Sequence, residues 1–392
     1  MSASCATPSG KAFSSTGTLA YPTRSSTTPP ASRRPGGRRG LLALVAVLLV
    51  GTACYGGRGE TAPTSRQVTA AGATDDAHLR GSGSTFVGPL LASWMGRYKS
   101  VAPHVAIEYS ADGSPAAIDR LKAGEGDFYA SDTPLSELEE ATLGGSHEYI
   151  QVPWAAGAIA IVYNLPDIDE LRLRPDALAA IFSGKLLRWD DPAIRADNGD
   201  ARLPNLPVQV VHRSDASGTT SVFSSYMDTA AGASWGLGHG ETIRFPRGQG
   251  VEGSSAIVAA VKRTAGAVGY VQLSYAKRGE AQVARLGNRA GDYQPPSTDA
   301  VSAALDTATV RPFSAVVRLN FRPDSPGAYP LATVTYLIFS RTKLDPAKAR
   351  ALRHFAAWAM TEGQRVAEPL GYTPVPRQFR VPAITAVDEP PA

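Results

Sequence analysis

Residues 208–220 read Val-Gln-Val-Val-His-Arg-Ser-Asp-Ala-Ser-Gly-Thr-Thr, and they give a clear indication of the fold class. Residues 208–211 predict a short buried strand, because they are rich in β-branched residues. The polar loop 213–220 follows the strand directly and is expected to open a helix. A strand, a polar loop and a helix in immediate succession form the unit from which α/β domains are built. The stretch therefore predicts an α/β protein.

The same alternation extends outward in both directions. Helical spacing of apolar residues predicts helices at 89–100, 116–123, 175–182, 257–264 and 346–361. Strands are predicted at 105–109, 150–163 and 331–340, and Gly157 is expected to break the second of these into separate runs. No internal repeat is visible. At 392 residues the chain can form two domains of ordinary size.

Three loops share one design. They are 81–86, 112–115 and 213–220, and each offers hydroxyls and backbone N–H groups where a helix is predicted to start. In the second loop Ser114 is expected to cap the helix, with Pro115 as its first residue. Unpaired N–H groups and the helix dipole both favour negative charge, so each loop is a candidate anion site. Together the three loops suit a small anion with several oxygens.

Charged residues sharpen this interpretation. Arg213 adds a full positive charge, and Asp215 can orient its guanidinium, although the two could equally be a purely structural ion pair. Asp132 in the loop 127–132 is an acid near an anion site. It is useful there if the ligand keeps a proton at neutral pH, as phosphate does and sulfate does not. The structural alternative for Asp132 is a cap before Pro134.

The N-terminal segment has the pattern of an export signal. Residues 1–53 contain six basic residues and no acidic residue, and the remainder has 33 basic against 35 acidic residues, which argues against nucleic-acid binding. A basic stretch at 33–40 precedes the apolar run 41–50 and the small residues 51–53. Cys54 follows, so we expect a lipoprotein-type signal peptide at 1–53 and a lipid anchor on Cys54. Gly51 stands where such signals usually have an aliphatic residue.

The cysteine count and the segments at the two ends complete the outline. Cys5 and Cys54 are the two cysteines, so cleavage before Cys54 would leave one thiol, no internal disulfide and no cysteine set for zinc. Scattered histidines likewise predict no metal, and no cofactor is expected. Residues 54–80 are expected to form a flexible tether, and residues 383–392 a disordered tail.

Several phrases of the sequence resemble the substrate-binding protein of the bacterial phosphate ABC transporter. They are 81–94, 127–136, 182–192, 212–223, 265–276 and 329–376, so the resemblance covers nearly all of 81–380 in order. By this resemblance the phosphate ligands are Thr85, Phe86 (through its main chain), Ser114, Asp132, Arg213, Ser217, Gly218 and Thr219, with Asp215 supporting Arg213. This family commonly has Ser-Gly-Gly after the serine of the second loop, where the chain has Pro115, Ala116 and Ala117.

The resemblance also implies an architecture and a task. The fold would be a two-lobed periplasmic-binding-protein fold with crossing hinge strands, with lobe one at 80–155 and 330–382 and lobe two at 156–329. Phosphate would bridge the lobes, which close by a hinge motion. The expected partners are inorganic phosphate, the permease subunits of an ABC transporter, and the membrane through a lipid anchor, with the chain itself a monomer outside the cytoplasmic membrane.

Three alternatives stay open. His212 and Ser217 could serve a secreted phosphate-ester hydrolase, but residues 215–219 lack the pattern Gly-x-Ser-x-Gly, and His212 should point away from Arg213 on the strand. A binder of another tetrahedral oxyanion such as sulfate is a closer alternative. A phosphate receptor that does not feed a transporter is the third.

Overall fold

A computed structural model describes residues 76–145, 147–199, 201–311 and 314–389. The predicted signal peptide, Cys54 and most of the predicted tether lie outside these residues. The strands are β1 (Ala77–Gly83), β2 (Val105–Ser110), β3 (Phe128–Ser131), β4 (Tyr149–Tyr163), β5 (Arg172–Leu173), β6 (Gln209–Arg213), β7 (Gln249–Val251), β8 (Ala267–Gln272), β9 (Gln282–Val283), β10 (Arg285–Gly287), β11 (Tyr293–Gln294), β12 (Thr309–Val310), β13 (Val317–Arg318), β14 (Ala332–Ser340) and β15 (Tyr372–Thr373).

Helices alternate with these strands. They are α1 (Gly88–Tyr98), α2 (Ser114–Ala123), α3 (Glu137–Thr142), α4 (Pro175–Phe182), α5 (Pro192–Asn198), α6 (Gly218–Ala231), α7 (Gly253–Arg263), α8 (Leu273–Arg278), α9 (Thr298–Leu305), α10 (Pro346–Met360) and α11 (Arg377–Asp388). The predicted α/β class is therefore confirmed. Among the described residues, none of these helices combines the length and the apolar character that crossing a membrane requires.

The main sheet contains two parallel sets joined by two long antiparallel strands. Its order is β2-β1-β3-β14-β4-β8-β6-β7. The strands β2, β1 and β3 run parallel at one end, and β8, β6 and β7 run parallel at the other. Between them β14 and β4 are antiparallel to each other and to their outer neighbours. This is the two-lobed arrangement expected of the fold.

Strand β4 passes from one set to the other. Its residues 149–158 pair with β14, and its residues 159–163 pair with β8. The expectation that Gly157 breaks this strand is wrong, because Gly157 lies inside one continuous strand of 15 residues. A Cβ at this position would lie 3.2 Å from Cζ of Phe86, so the glycine makes room for that ring instead of ending the strand.

The chain is ordered further toward both ends than the sequence predicted. Residues 77–80 of the predicted tether already belong to β1, where Ala77 and Leu79 are buried and alternate with exposed neighbours. The predicted disordered tail is wrong for residues 383–388, which complete α11 although Pro382 lies inside that helix. Ala383 and Val387 are fully buried, so apolar packing on one face outweighs the local effect of the proline.

Candidate functional site

The starts of four helices meet where the two parallel sets of strands face each other. The loop after β1 leads into α1, the loop after β2 leads into α2, and the loops after β6 and β7 lead into α6 and α7. Parallel strands have their carboxyl ends at one edge, so the loops converge within each set of strands. The two groups of loops contact each other through Thr85, which is hydrogen-bonded to Arg213 and to Ser254. The structure brings together all the predicted ligand residues, and all are buried: Thr85, Phe86, Ser114, Asp132, Arg213, Ser217, Gly218 and Thr219.

Asp132 lies at the centre of one half of the site. Its Oδ1 accepts hydrogen bonds from the hydroxyls of Ser84, at 2.5 Å, and Thr335, at 2.9 Å. Its Oδ2 accepts a longer bond, 3.4 Å, from the hydroxyl of Thr219. Burial raises the pKa of Asp132 to about 6, although these hydroxyls and the charge of Arg213 act in the opposite direction. At neutral pH the carboxyl group is therefore mostly an ionised acceptor.

Arg213 and Asp215 form the charged half of the site. Nε of Arg213 donates to Oδ1 of Asp215 at 2.6 Å, and Nη2 donates to Oδ2, which gives a two-point contact. The N–H of Gly253 also donates to Asp215. Burial opposes ionisation of Asp215, but the bonds and charge of Arg213 outweigh it and hold the pKa below its usual value. Nη1 of Arg213 is directed at the hydroxyl of Thr85, 3.4 Å away.

Ser114 and Gly218 bring the starts of α2 and α6 into contact. A Cβ on Gly218 would lie 2.3 Å from Oγ of Ser114 and 3.0 Å from Cβ of Asp132, so this contact requires glycine. Ser114 does not cap α2 as predicted: the N-cap is Gly113, at φ +103°, and Ser114 is the first helical residue. Its hydroxyl instead accepts a bond from the N–H of Asp132 at 3.1 Å.

The helix α6 begins at this contact. Ser217 is the N-cap of α6, and its hydroxyl accepts from the N–H of Thr220 at 3.3 Å. The N–H groups of Gly218 and Thr219 precede the first intrahelical hydrogen bond, so they are the donors that a helix start offers to an anion. The structure thus places Ser217, Gly218 and Thr219 as the sequence predicted.

Three residues at the site were not predicted from the sequence. Ser84 lies within the first predicted loop, but its bond to Asp132 was not foreseen. Ser254 opens α7, and its hydroxyl is 2.9 Å from that of Thr85. The sequence could have indicated Ser254, because Gly253 and Ser254 form a fourth helix start of the same design as the three predicted loops. Thr335 gave no local signal, because it reaches Asp132 from the middle of β14, 203 residues along the chain.

In the described part of the site, His212 and Ser217 are not arranged as the base and nucleophile of a catalyst. Ser217 is used as a helix cap, as described above. The ring of His212 stacks on Phe245 at 4.5 Å, and its Nδ1 is 3.0 Å from the main-chain oxygen of Arg213. No hydrogen bond between His212 and Ser217 is present in the described part of the chain, although a serine nucleophile needs such a base. Within that part, no cluster of His, Cys, Asp or Glu side chains could hold a metal ion.

Comparison with known proteins identifies the class first. Residues 68–362 match the family model of the PBP superfamily domain, so the chain belongs to that superfamily. Among solved structures, a phosphate-binding protein from Stenotrophomonas maltophilia has the same fold, with a TM-score of 0.61 at 20% identity over 79% of this chain and 93% of the other. An ABC-type phosphate transport receptor from Vibrio cholerae gives a TM-score of 0.51 at 19% identity, over 75% and 99%.

Curated relatives narrow the class to one family. The chain is 34% identical to the phosphate-binding protein PstS of Xylella fastidiosa over 77% of this chain and 83% of that one. It is 33% identical to the phosphate-binding protein PstS 3 of Mycobacterium leprae, over 85% and 91%. The chain therefore belongs to the PstS family of phosphate-binding proteins, which confirms the resemblance seen in the sequence.

Proposed function

We propose that this protein binds inorganic phosphate outside the cytoplasmic membrane and delivers it to the permease of an ABC transporter. Membership of the PstS family supports this function, as does the site itself. The site combines Arg213, several hydroxyls and the N–H groups of helix starts, which suits a small oxyanion. It holds no paired nucleophile and base among the described residues, so we propose binding without catalysis.

The observation that carries the proposal is the hydrogen bonding of Asp132. Oδ1 already accepts two bonds, but Oδ2 accepts one long bond, from Thr219. An ionised carboxylate oxygen can accept more than one hydrogen bond, so Oδ2 is free to accept from a P–OH group. Sulfate has no proton to donate and would place an uncompensated like charge against Asp132. The site therefore favours phosphate over sulfate.

The lobes and the cellular location are part of the same proposal. With lobe one at 80–155 and 330–382 and lobe two at 156–329, Thr85, Ser114 and Asp132 would bind phosphate from one side. Arg213 and Thr219 would bind it from the other, so phosphate would stabilise the closed form that a permease recognises. A lipid on Cys54 would keep the protein, as a monomer, near that permease.

Calorimetry with phosphate, sulfate and arsenate tests the proposed function. We expect phosphate to bind with a dissociation constant in the micromolar range or tighter, which corresponds to about −8 kcal/mol or stronger. Sulfate should bind at least about a hundredfold more weakly, because of Asp132. Equal binding of sulfate and phosphate would show that the site selects oxyanions in general. Incubation with a phosphomonoester should release no phosphate.

Replacing Asp132 by Asn tests the residue that carries the argument. Asp132→Asn should weaken phosphate roughly tenfold or more and strengthen sulfate, because the amide can donate to an oxyanion where the carboxylate could only accept. Asp127→Asn is the matched control. Asp127 is also buried, but it binds Lys348 and the N–H of Arg80 away from the site, so its replacement should leave the preference unchanged. An unchanged preference in Asp132→Asn would refute the selector role.

A further inference from the structure

Three consecutive carbonyl groups of the loop before α1 each accept a hydrogen bond from a tyrosine. The hydroxyl of Tyr109 donates to the oxygen of Ser84 at 2.9 Å, and that of Tyr275 donates to the oxygen of Thr85 at 2.8 Å. The hydroxyl of Tyr372 donates to the oxygen of Phe86 at 2.5 Å. These tyrosines come from β2, α8 and β15, three separate parts of the chain. No local sequence pattern links them.

The geometry of the peptide bond gives these contacts a consequence. In a trans peptide the C=O of one residue and the N–H of the next point in opposite directions in a rigid plane. A hydrogen bond that fixes the oxygen of Ser84 therefore also fixes the direction of the N–H of Thr85. The bond to the oxygen of Thr85 fixes the N–H of Phe86 in the same way. That N–H donates to Oγ of Ser84 at 2.9 Å, which in turn donates to Asp132, so it faces the site.

The tyrosines are suited to act as permanent donors. Burial raises the pKa of Tyr109, Tyr275 and Tyr372, and in each case the nearby charge of Asp132 raises it further. The phenols therefore keep their protons across the physiological pH range. A phenol also has few rotatable bonds, so it holds a carbonyl in place at a small cost in conformational entropy.

Tyr275 differs from the other two in its position. It follows β8, in the set of strands that also carries Arg213, whereas Thr85 follows β1 in the other set. Thr85 receives two further contacts from that same side, from Arg213 and from Ser254. The contact of Tyr275 with the loop therefore depends on the two sets of strands being close together.

We propose that Tyr109 and Tyr275 are positioning residues that aim the N–H groups of Thr85 and Phe86 at the anion, and that Tyr275 completes this alignment when the two lobes close. Tyr372 holds the next peptide of the same loop, and with it the N–H of Val87. This role rests on the proposed function, because the anion is taken to be phosphate. The phenols do not touch the anion; they act through the main chain of the loop. Closure thereby both traps the ligand and improves the donors that hold it.

Replacement of Tyr275 by Phe, which removes the hydroxyl alone, tests the proposal. Stopped-flow measurements on the full protein with inorganic phosphate should show a dissociation rate about five- to tenfold faster, as expected for one lost hydrogen bond. The association rate should change less than about twofold, because the bond forms after the ligand has entered. Tyr109→Phe, whose partner lies on its own side of the site, should also slow association.

Tyr163→Phe is the matched control. The hydroxyl of Tyr163 also donates to a main-chain oxygen, that of Ile168 at 3.2 Å, but away from the site. This variant should keep both rate constants. The positioning role is overturned if Tyr275→Phe behaves like Tyr163→Phe, or if its faster dissociation of phosphate is accompanied by an equal loss of stability without phosphate. If the unaltered protein does not bind phosphate at all, the proposed function fails first, and the positioning role with it.

Discussion

Asp132 and Asp215 lie on opposite sides of the site and have opposite properties. Asp215 accepts two hydrogen bonds from Arg213, and its pKa is lowered. Asp132 has hydroxyl partners and, among the residues that the structure describes, no direct ion pair, and burial raises its pKa to about 6. Asp215 offsets and orients the positive charge of Arg213. Asp132 would keep a negative charge where the anion is proposed to bind.

The difference between the two carboxylates suggests that the strength of oxyanion binding and the selectivity among oxyanions depend on different sides of the site. Under the proposed function, the side of Arg213 and Asp215 would attract any oxyanion, because a guanidinium held at two points presents its remaining N–H in a fixed direction. The side of Asp132 would reject oxyanions that cannot donate a proton. If the two roles are separate, changes on one side should alter affinity for all oxyanions, and changes on the other should alter their ranking.

Removal of Arg213 should give the largest effect. Arg213→Gln is expected to weaken phosphate by about a thousandfold and sulfate by a similar factor, since truncating one partner of a buried charge pair costs 2–5 kcal/mol or more. Part of the loss would come from Asp215, left ionised and unpaired, so Arg213→Gln with Asp215→Asn should recover some affinity. Calorimetry with both anions measures this.

Arg174→Gln is the control for that experiment. Arg174 binds Asp197, a buried carboxylate, at 2.5 Å in an arginine–aspartate pair remote from the site, although its guanidinium is more exposed than that of Arg213. It should leave affinity unchanged. A loss of phosphate binding without a loss of sulfate binding in Arg213→Gln would contradict the separation of strength from selectivity.

Gly218→Ala should give the next largest effect, because it acts between the two sides. The added methyl group would lie 2.3 Å from Oγ of Ser114, so the starts of α2 and α6 could not approach as they do here. We expect phosphate affinity to fall about a hundredfold, mainly through faster dissociation. Gly96→Ala is the control, since no atom lies within 4 Å of its added Cβ. Unchanged phosphate binding in Gly218→Ala would show that the site tolerates a looser contact.

The two sides also differ in how far the sequence predicted them. The Arg213 side is continuous in sequence: strand, arginine, aspartate and helix start all lie within 208–220, and each has its expected place. Local rules for strands, caps and ion pairs suffice there. The predicted order of helices and strands agrees with the structure for the same reason.

The Asp132 side could be predicted only in part. Asp132 itself was identified, but its partner Ser84 directly follows β1 and its partner Thr335 lies in β14, so their contact depends on the pairing of distant strands. Periodicity along the chain carries no information about such pairing. The same limit explains the error at Gly157. The absence of a side chain there makes room for the ring of Phe86, which is distant in sequence but adjacent in the fold. Similarly, buried Ala383 and Val387 in α11 revealed an apolar face that the prolines had concealed.

The last expected effect is on stability, and it should distinguish the two carboxylates most directly. The pKa of Asp132 in the folded protein lies above its unfolded value, so the stability that this group contributes is present below about pH 4 and is lost as pH rises through about 6. In the absence of phosphate, Asp132→Asn should therefore gain stability over the unaltered protein as pH increases from 4 to 7. The gain should reach about 3 kcal/mol, given 1.36 kcal/mol for each pKa unit. Asp215→Asn should instead lose stability by an amount that is constant from pH 4 to 7 and shrinks only below about pH 4, because a lowered pKa contributes stability that is lost as pH falls below the ordinary value. Denaturant unfolding at each pH measures both.

Since bound phosphate would use the charge of Asp132, saturating phosphate should reverse the order of stability of the unaltered protein and Asp132→Asn. If the difference in stability between Asp132→Asn and the unaltered protein does not vary with pH, burial of the charged form of Asp132 does not destabilise the protein.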